Sequence, residues 1–231
     1  MILLINYSYA QKASFGVTAG ATLSSYKVTI ESVSLTSDSR VGFTAGVFAS
    51  CPIGQSFSFR PGLNYTQKGG KLSDDYGKDE ITLNYLEIPL DFVYNTHSTK
   101  GKFFAGVGPS ISLGLSGKEK FDGGSEDIKF GGGDDADFTA FEAGVNILAG
   151  YQFSNGIFFA ANYNAGLSNI APDDPEFDSK YHNRYFGLRI GYMFGRKTKP
   201  AAAASNKTEI PCSCSKVFGN RNPLARFAIQ K

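Results

Sequence analysis

Residues 103–114 read Phe103-Phe104-Ala105-Gly106-Val107-Gly108-Pro109-Ser110-Ile111-Ser112-Leu113-Gly114. Phe103, Ala105, Val107, Pro109, Ile111 and Leu113 share one parity. Phe104, Gly106, Gly108, Ser110, Ser112 and Gly114 share the other. Side chains of a strand alternate between the two faces of a sheet, so this segment is a strand with one apolar face and one small, polar face. The stretch 57–66 repeats the pattern, with Phe57, Phe59, Pro61, Leu63 and Tyr65 against Ser58, Arg60, Gly62, Asn64 and Thr66. About eight such stretches run along the chain, the strand number of the smallest transmembrane barrels. They fall at 13–26, 41–51, 56–68, 81–95, 102–116, 138–153, 157–169 and 184–194.

Alternation alone does not say which face points inward. The glycines do. Gly16, Gly20, Gly42, Gly46, Gly106, Gly144, Gly150, Gly166, Gly187 and Gly191 all lie on the polar parity. Small residues fit the crowded interior of a narrow barrel, and large apolar groups on the other parity fit lipid. The expected fold is therefore all-β: an eight-stranded antiparallel up-and-down transmembrane barrel, apolar side out, over 13–195. A soluble ligand-binding barrel, with the faces reversed, is the alternative.

The connections support the first reading. Long ones at 27–40, 69–80, 117–137 and 170–183 alternate with short ones at 51–55, 95–101 and 154–156. Asn155-Gly156 is a favoured hairpin pair. Such alternation is what a barrel gives when one rim faces the outside and the other the periplasm. Both chain ends then lie on the periplasmic rim. Pro61, Pro89 and Pro109 sit inside strands, where a missing N–H breaks the ladder, so bulges are expected near them. The change of parity around Tyr85-Leu86 points to one.

Composition agrees. The chain has 231 residues, a formal charge of +2, 27 glycines, 12 tyrosines, 20 phenylalanines and no tryptophan. Near-neutral charge indicates no acidic or basic partner, and basic–aromatic interleaving for nucleic acid is absent. No run of roughly 18 apolar residues is present to make a membrane helix. Residues 1–12 carry an apolar run and then a small residue before Gln11, as the end of a secretory signal does, though without its basic start; a short disordered leader is the alternative. Residues 196–231 read as a disordered periplasmic tail. Cys51, Cys212 and Cys214 are too few for a disulfide framework or a zinc site, although a bridge from Cys51 to the tail is geometrically conceivable. The acidic runs Gly131–Asp137 and Pro172–Glu176 lack the spacing of a calcium loop and read as solvated.

Charged residues in the strand cores are Arg60, Glu87, Asp91, Glu142 and Arg189, all on the polar parity, and no lysine is expected there. Five interior charges of both signs must pair, since an unpaired buried charge is costly. A proton path or carboxylate dyad is one reading. The reading adopted is a plug of ion pairs filling a narrow lumen. On that reading Arg60→Ala strands a buried carboxylate and destabilises by a few kcal/mol. No catalytic constellation emerges. His97 and His182 belong to opposite rims, no serine lies in a Gly-x-Ser-x-Gly elbow, and Gly106-Val107-Gly108 lacks the strand–loop–helix context of a nucleotide site. No metal, cofactor or enzymatic activity is expected.

The chain resembles the PorT-like outer-membrane β-barrel proteins of Gram-negative bacteria. Tyr85-Leu86-Glu87-Ile88-Pro89-Leu90 carries the resemblance most specifically. Phe104-Ala105-Gly106-Val107-Gly108-Pro109, Gly144 to Phe153, Gly166-Leu167-Ser168-Asn169-Ile170 and Gly191-Tyr192-Met193-Phe194 support it. The resemblance implies location in the outer membrane and the barrel fold, with no fixed activity and service in protein secretion for a few members. Phe194 looks like the terminal aromatic read by the barrel-assembly machinery, although here the chain continues past it. The expectation is a non-enzymatic barrel with a plugged lumen and a structural or surface-interaction role. An accessory part of a secretion or transport assembly is the alternative. Expected partners are outer-membrane lipid, the barrel-assembly machinery during insertion, and a protein partner at the outer loops or the tail.

Overall fold

The computed structural model describes residues 13–30, 33–74, 77–96, 98, 100–132, 136–171 and 179–194. The expected leader, the tail with Cys212 and Cys214, His97 and the run Pro172–Glu176 lie outside them. So do Asp134 and Asp135.

Eight long strands form the wall: β1 (Ser14–Ile30), β2 (Arg40–Ile53), β3 (Phe57–Asp74), β4 (Gly77–Asn95), β5 (Gly101–Phe121), β6 (Phe141–Phe153), β7 (Ile157–Gly166) and β8 (Ser179–Phe194). Each pairs antiparallel with the next. The ring closes where β8 pairs with β1, from Phe15↔Phe194 to Ile30↔Ser179. Closure removes the open edges that an unclosed sheet would present in lipid. Several strands run well past the expected bounds on the long-loop rim. Above the membrane the wall no longer needs the lipid-facing alternation, so the pattern used to find strands fades before the strands end. Val33–Thr36 pairs with β1 and Gly124–Ile128 with β5, extending this upper wall.

The faces sort as the glycines indicate. Outward residues from Phe15 to Leu23 on β1, Val41 to Ala49 on β2, Leu86 to Tyr94 on β4 and Phe186 to Phe194 on β8 form an apolar belt. Each span is nine residues, the length a tilted strand needs to cross a bilayer. Phe103 and Phe141 are 65% and 67% exposed, while Glu87 and Lys68 inside are 1% exposed. An apolar surface encircling the molecule far exceeds the patch a soluble protein exposes, which rules out the soluble alternative. At the short-turn rim aromatic rings pair across strands, Phe57 with Tyr94 at 5.3 Å and Phe103 with Tyr151 at 4.7 Å between centroids. They form an interfacial girdle built without tryptophan.

The prolines correct an expectation. The ladder keeps its register through Pro61, Pro89 and Pro109, with no bulge at any of them. Instead each leaves a two-residue gap in one ladder: between Phe48↔Gly62 and Cys51↔Phe59, between Pro61↔Leu90 and Asn64↔Glu87, and between Pro89↔Ser110 and Phe92↔Val107. A missing N–H removes a bond without adding a residue. β4 itself shows no change of parity. Leu83 and Tyr85 face inward with Glu87 and Asp91, because the interior above the membrane is apolar. The bulge expected at Tyr85-Leu86 is nonetheless present beside it: the register shifts between Asn84 and Tyr85 opposite β5, where Leu115 is the extra residue.

Candidate functional site

The interior has three levels. Near the short-turn rim Val93, Phe104, Leu148 and Phe158 form an apolar cluster, packed by Phe48 and Ala160. Glycines make room for it. A Cβ on Gly16 would collide with the ring of Phe48, and one on Gly150 with the ring of Phe104. Toward the long-loop rim Tyr26, Ile81, Leu83, Tyr85, Ile128 and Ile170 form a second cluster with Phe130, Phe138 and Tyr181 against it. Between the two lie the charges.

The structure brings four of the five expected residues into contact range of a partner, and adds one that the sequence reading excluded. Lys68, on β3, is 1% exposed and central. Its Nζ lies 3.2 Å from Glu142 Oε1 and 3.6 Å from Glu87 Oε2, and donates to Ser112 Oγ at 3.1 Å. The ammonium also stands 4.7 Å from the centre of the Tyr85 ring. Glu87 accepts a hydrogen bond from Tyr185 Oη at 2.7 Å and faces Arg189 at 3.9 Å. Glu142 accepts from Asn183 Nδ2 at 3.1 Å. The expectation of no interior lysine is thus wrong: Lys68 ends the belt-height part of β3, where a lysine reads as a strand boundary. Three acids against two arginines was the available signal for a missing cation.

Arg60 stands apart. It pairs in register with Asp91, yet no carboxylate approaches within salt-bridge distance among the described residues. Its guanidinium lies over the rings of Phe48 and Phe104, at 5.1 and 4.8 Å. Asp91 instead accepts two hydrogen bonds from Asn146 Nδ2, at 2.9 and 3.1 Å. Arg60 and Asp91 line a cavity of about 50 Å³ with Asn64, Asn146, Asn162 and Arg189. Phe48, Phe104, Leu148 and Phe158 complete its lining; a space of this size holds a few water molecules, which are the natural partners for buried Arg60 Nε and Nη2. The single cluster expected from the sequence is therefore two: a direct ion-pair group around Lys68 and a looser pair, Arg60 and Asp91, below it.

Among the described residues, the Lys68–Ser112 contact most resembles a catalytic pair. Ser112 is 1% exposed, buried beneath the upper apolar cluster. On the long-loop rim a separate clamp ties three strands: Arg40 Nε donates to Glu80 Oε1 at 2.8 Å, and Lys71 Nζ lies 3.3 Å from Glu80 Oε2. Partial burial would raise the Glu80 carboxyl, but these two cations outweigh it and hold it below its ordinary value. Glu119, partly buried near Asp79, Glu126 and Asp137, is raised. His182 belongs to β8; Cys51 is a free, half-buried thiol on β2.

Residues 9–171 match the family model described as outer membrane protein beta-barrel domain. Among solved structures, similar chains include Ail, the attachment invasion locus protein of Yersinia pestis, at 13% identity and TM-score 0.43, covering 80% of this chain and 100% of that one. Neisserial surface protein A is similar at 15% identity and TM-score 0.46, with the same coverage. The outer membrane enzyme PagL is similar at 15% identity and TM-score 0.41, covering 74% of this chain and 98% of that one. No curated protein matches the chain in sequence.

Proposed function

This chain belongs to the family of outer membrane protein β-barrel domains, and from that premise we propose that it is a non-enzymatic barrel with a plugged lumen and a structural or surface-interaction role. Its location is the outer membrane of a Gram-negative bacterium. The observation that carries the plug is the layering of the interior. The Lys68 network lies between two apolar clusters, and each of its carboxylates already has a cation or an amide donor. Such a network fills space and fixes register; it leaves neither a hydrated ion path nor an open substrate cleft. Interaction then falls to the extended wall and hairpins of the long-loop rim, since the rest of the surface faces lipid. Within the family we place the chain near the PorT-like proteins, on Tyr85-Leu86-Glu87-Ile88-Pro89-Leu90. That kinship keeps an accessory role in secretion as the second reading.

Planar bilayers test the plug. Reconstituted full-length protein is expected to show no steady conductance, whereas a stable unit conductance in the unmodified protein overturns the plug. Loss of export on deletion of the gene, with the conductance still absent, would favour the secretion reading over a purely structural one.

A further inference from the structure

The two strands at the barrel's closing seam carry an arrangement that the lumen does not explain. Leu23↔Phe186 is the last outward apolar row of β1 and β8, with side chains 47% and 44% exposed. The next two outward rows are Ser25↔Arg184 and Lys27↔His182. Residues directly paired on neighbouring strands share a face, and successive rows on that face are about 6.6 Å apart. Arg184 and Lys27 therefore stand at the first and second levels above the lipid belt. Arg184 is fixed by a hydrogen bond from its Nε to Ser25 Oγ at 3.1 Å.

Three cations elsewhere on this rim are matched. Arg40 and Lys71 share Glu80, and Lys118 lies 3.6 Å from Asp127. At the same height on β3, β4 and β5 the surface is neutral, where Tyr65, Gln67, Asn84 and Ser116 hydrogen-bond to one another. Among the described residues, the three cationic side chains Lys27, His182 and Arg184 have no carboxylate partner within salt-bridge distance.

Below it the lipid face is hollow. Ala19, Ala149, Phe159, Ala161, Leu188 and Ile190 border a trough of about 460 Å³ on β1, β6, β7 and β8. Leu188 lies four residues below Arg184, or about 13 Å along the strand. That depth is within one leaflet of a hydrocarbon core about 30 Å thick.

We propose that the seam of β1 and β8 binds a phosphorylated lipid of the outer leaflet, its phosphate held by Arg184, Lys27 and His182 and an acyl chain lying in the trough below. The occupant must carry an anion directly above an apolar tail, at the level where apolar wall gives way to polar wall. Guanidinium and ammonium groups are strong donors to phosphate oxygens, and basic residues at a membrane surface attract anionic headgroups. The inference rests on the outer-membrane placement, with the long loops outside, and not on the closed lumen, so a conducting barrel would leave it intact.

The test is native mass spectrometry of the full chain in micelles containing either bisphosphorylated lipid A or the same lipid with its phosphates removed. The phosphorylated form should be retained in preference, and Lys27→Gln with Arg184→Gln should lower its retention about fivefold for each cation removed. Lys118→Gln with Lys120→Gln, on the other side of the rim, should leave retention unchanged. Ala161→Trp fills the trough from the lipid side and should lower retention of both lipid forms. A heat-dependent gel shift confirms that each variant is folded. Equal retention of the two lipids, or retention indifferent to Lys27 and Arg184, overturns the phosphate site; retention indifferent to Ala161→Trp overturns the acyl trough.

Discussion

Lys68 carries more of the interior's electrostatic balance than any other residue. Removing it leaves Glu87 and Glu142, both 1–2% exposed, without their shared cation. Breaking a buried pair in this way costs about 3–5 kcal/mol, because the abandoned charge has no water to turn to. Lys68→Met should therefore lower unfolding stability in urea by that amount. The triple change Lys68→Met, Glu87→Gln, Glu142→Gln should recover most of it, since matched neutral groups avoid the desolvation. Arg60→Ala should cost less, about 1–2 kcal/mol, because Arg60 contributes ring contacts while Asp91 keeps both hydrogen bonds from Asn146. The order Lys68 above Arg60 reverses what sequence alone suggests. Parity placed Arg60, Glu87, Asp91, Glu142 and Arg189 inside without any structure, since lipid admits no charge on the other face. It did not say which acid meets which base. That depends on how strands far apart in sequence face each other across the lumen, as Lys68 and Glu142 do.

Strands were legible as far as lipid enforced them. The nine-residue apolar spans and the short turns follow from alternation, whereas the upper parts of β1, β3, β4 and β5 face water and carry no such pattern. Their stability comes from local clamps, and the clamp on Glu80 gives a pH dependence with a definite sign. Its carboxyl is held below the ordinary value, so its contribution is fully present above the unfolded carboxylate range and is lost as pH falls through the depressed value. Amide exchange in the upper β3–β4 hairpin should quicken on acidification, and Glu80→Gln should quicken it already at neutral pH while flattening this acid dependence. An unchanged profile in Glu80→Gln would remove the clamp from the account. Lower in the wall, Gly150→Val should destabilise through the Phe104 ring and the Phe159 carbonyl that any Cβ would strike. In urea, the losses from Gly150→Val and Phe104→Ala should sum to more than that of the double variant, because removing the ring frees one of the two collisions.

At the scale of the whole barrel, the decisive asymmetry is between its rims. Residues 53–57 and 153–157 turn tightly on one rim, where β4 also ends at Asn95 and β5 begins at Gly101, and the described ends of the chain meet there at Phe15↔Phe194. The other rim bears the tall β3–β4 hairpin, the Gly124–Ile128 extension of β5 and the upper apolar cluster. Long connections are tolerated on the side where the chain has been pushed across the membrane, and short turns remain on the periplasmic side. The orientation also decides whether the cations beside Leu23 and Phe186 meet the outer leaflet or the inner one. Cysteine labelling of intact cells settles it. In a background without native cysteines, Ser125→Cys, on the exposed strand Gly124–Ile128, should react with an impermeant thiol reagent. Ser154→Cys, in the short turn between β6 and β7, should stay protected until the outer membrane is opened. Labelling at Ser154 but not at Ser125 would invert the barrel, place the seam's cations on the periplasmic leaflet, and with them remove the outer-leaflet lipid from the proposal.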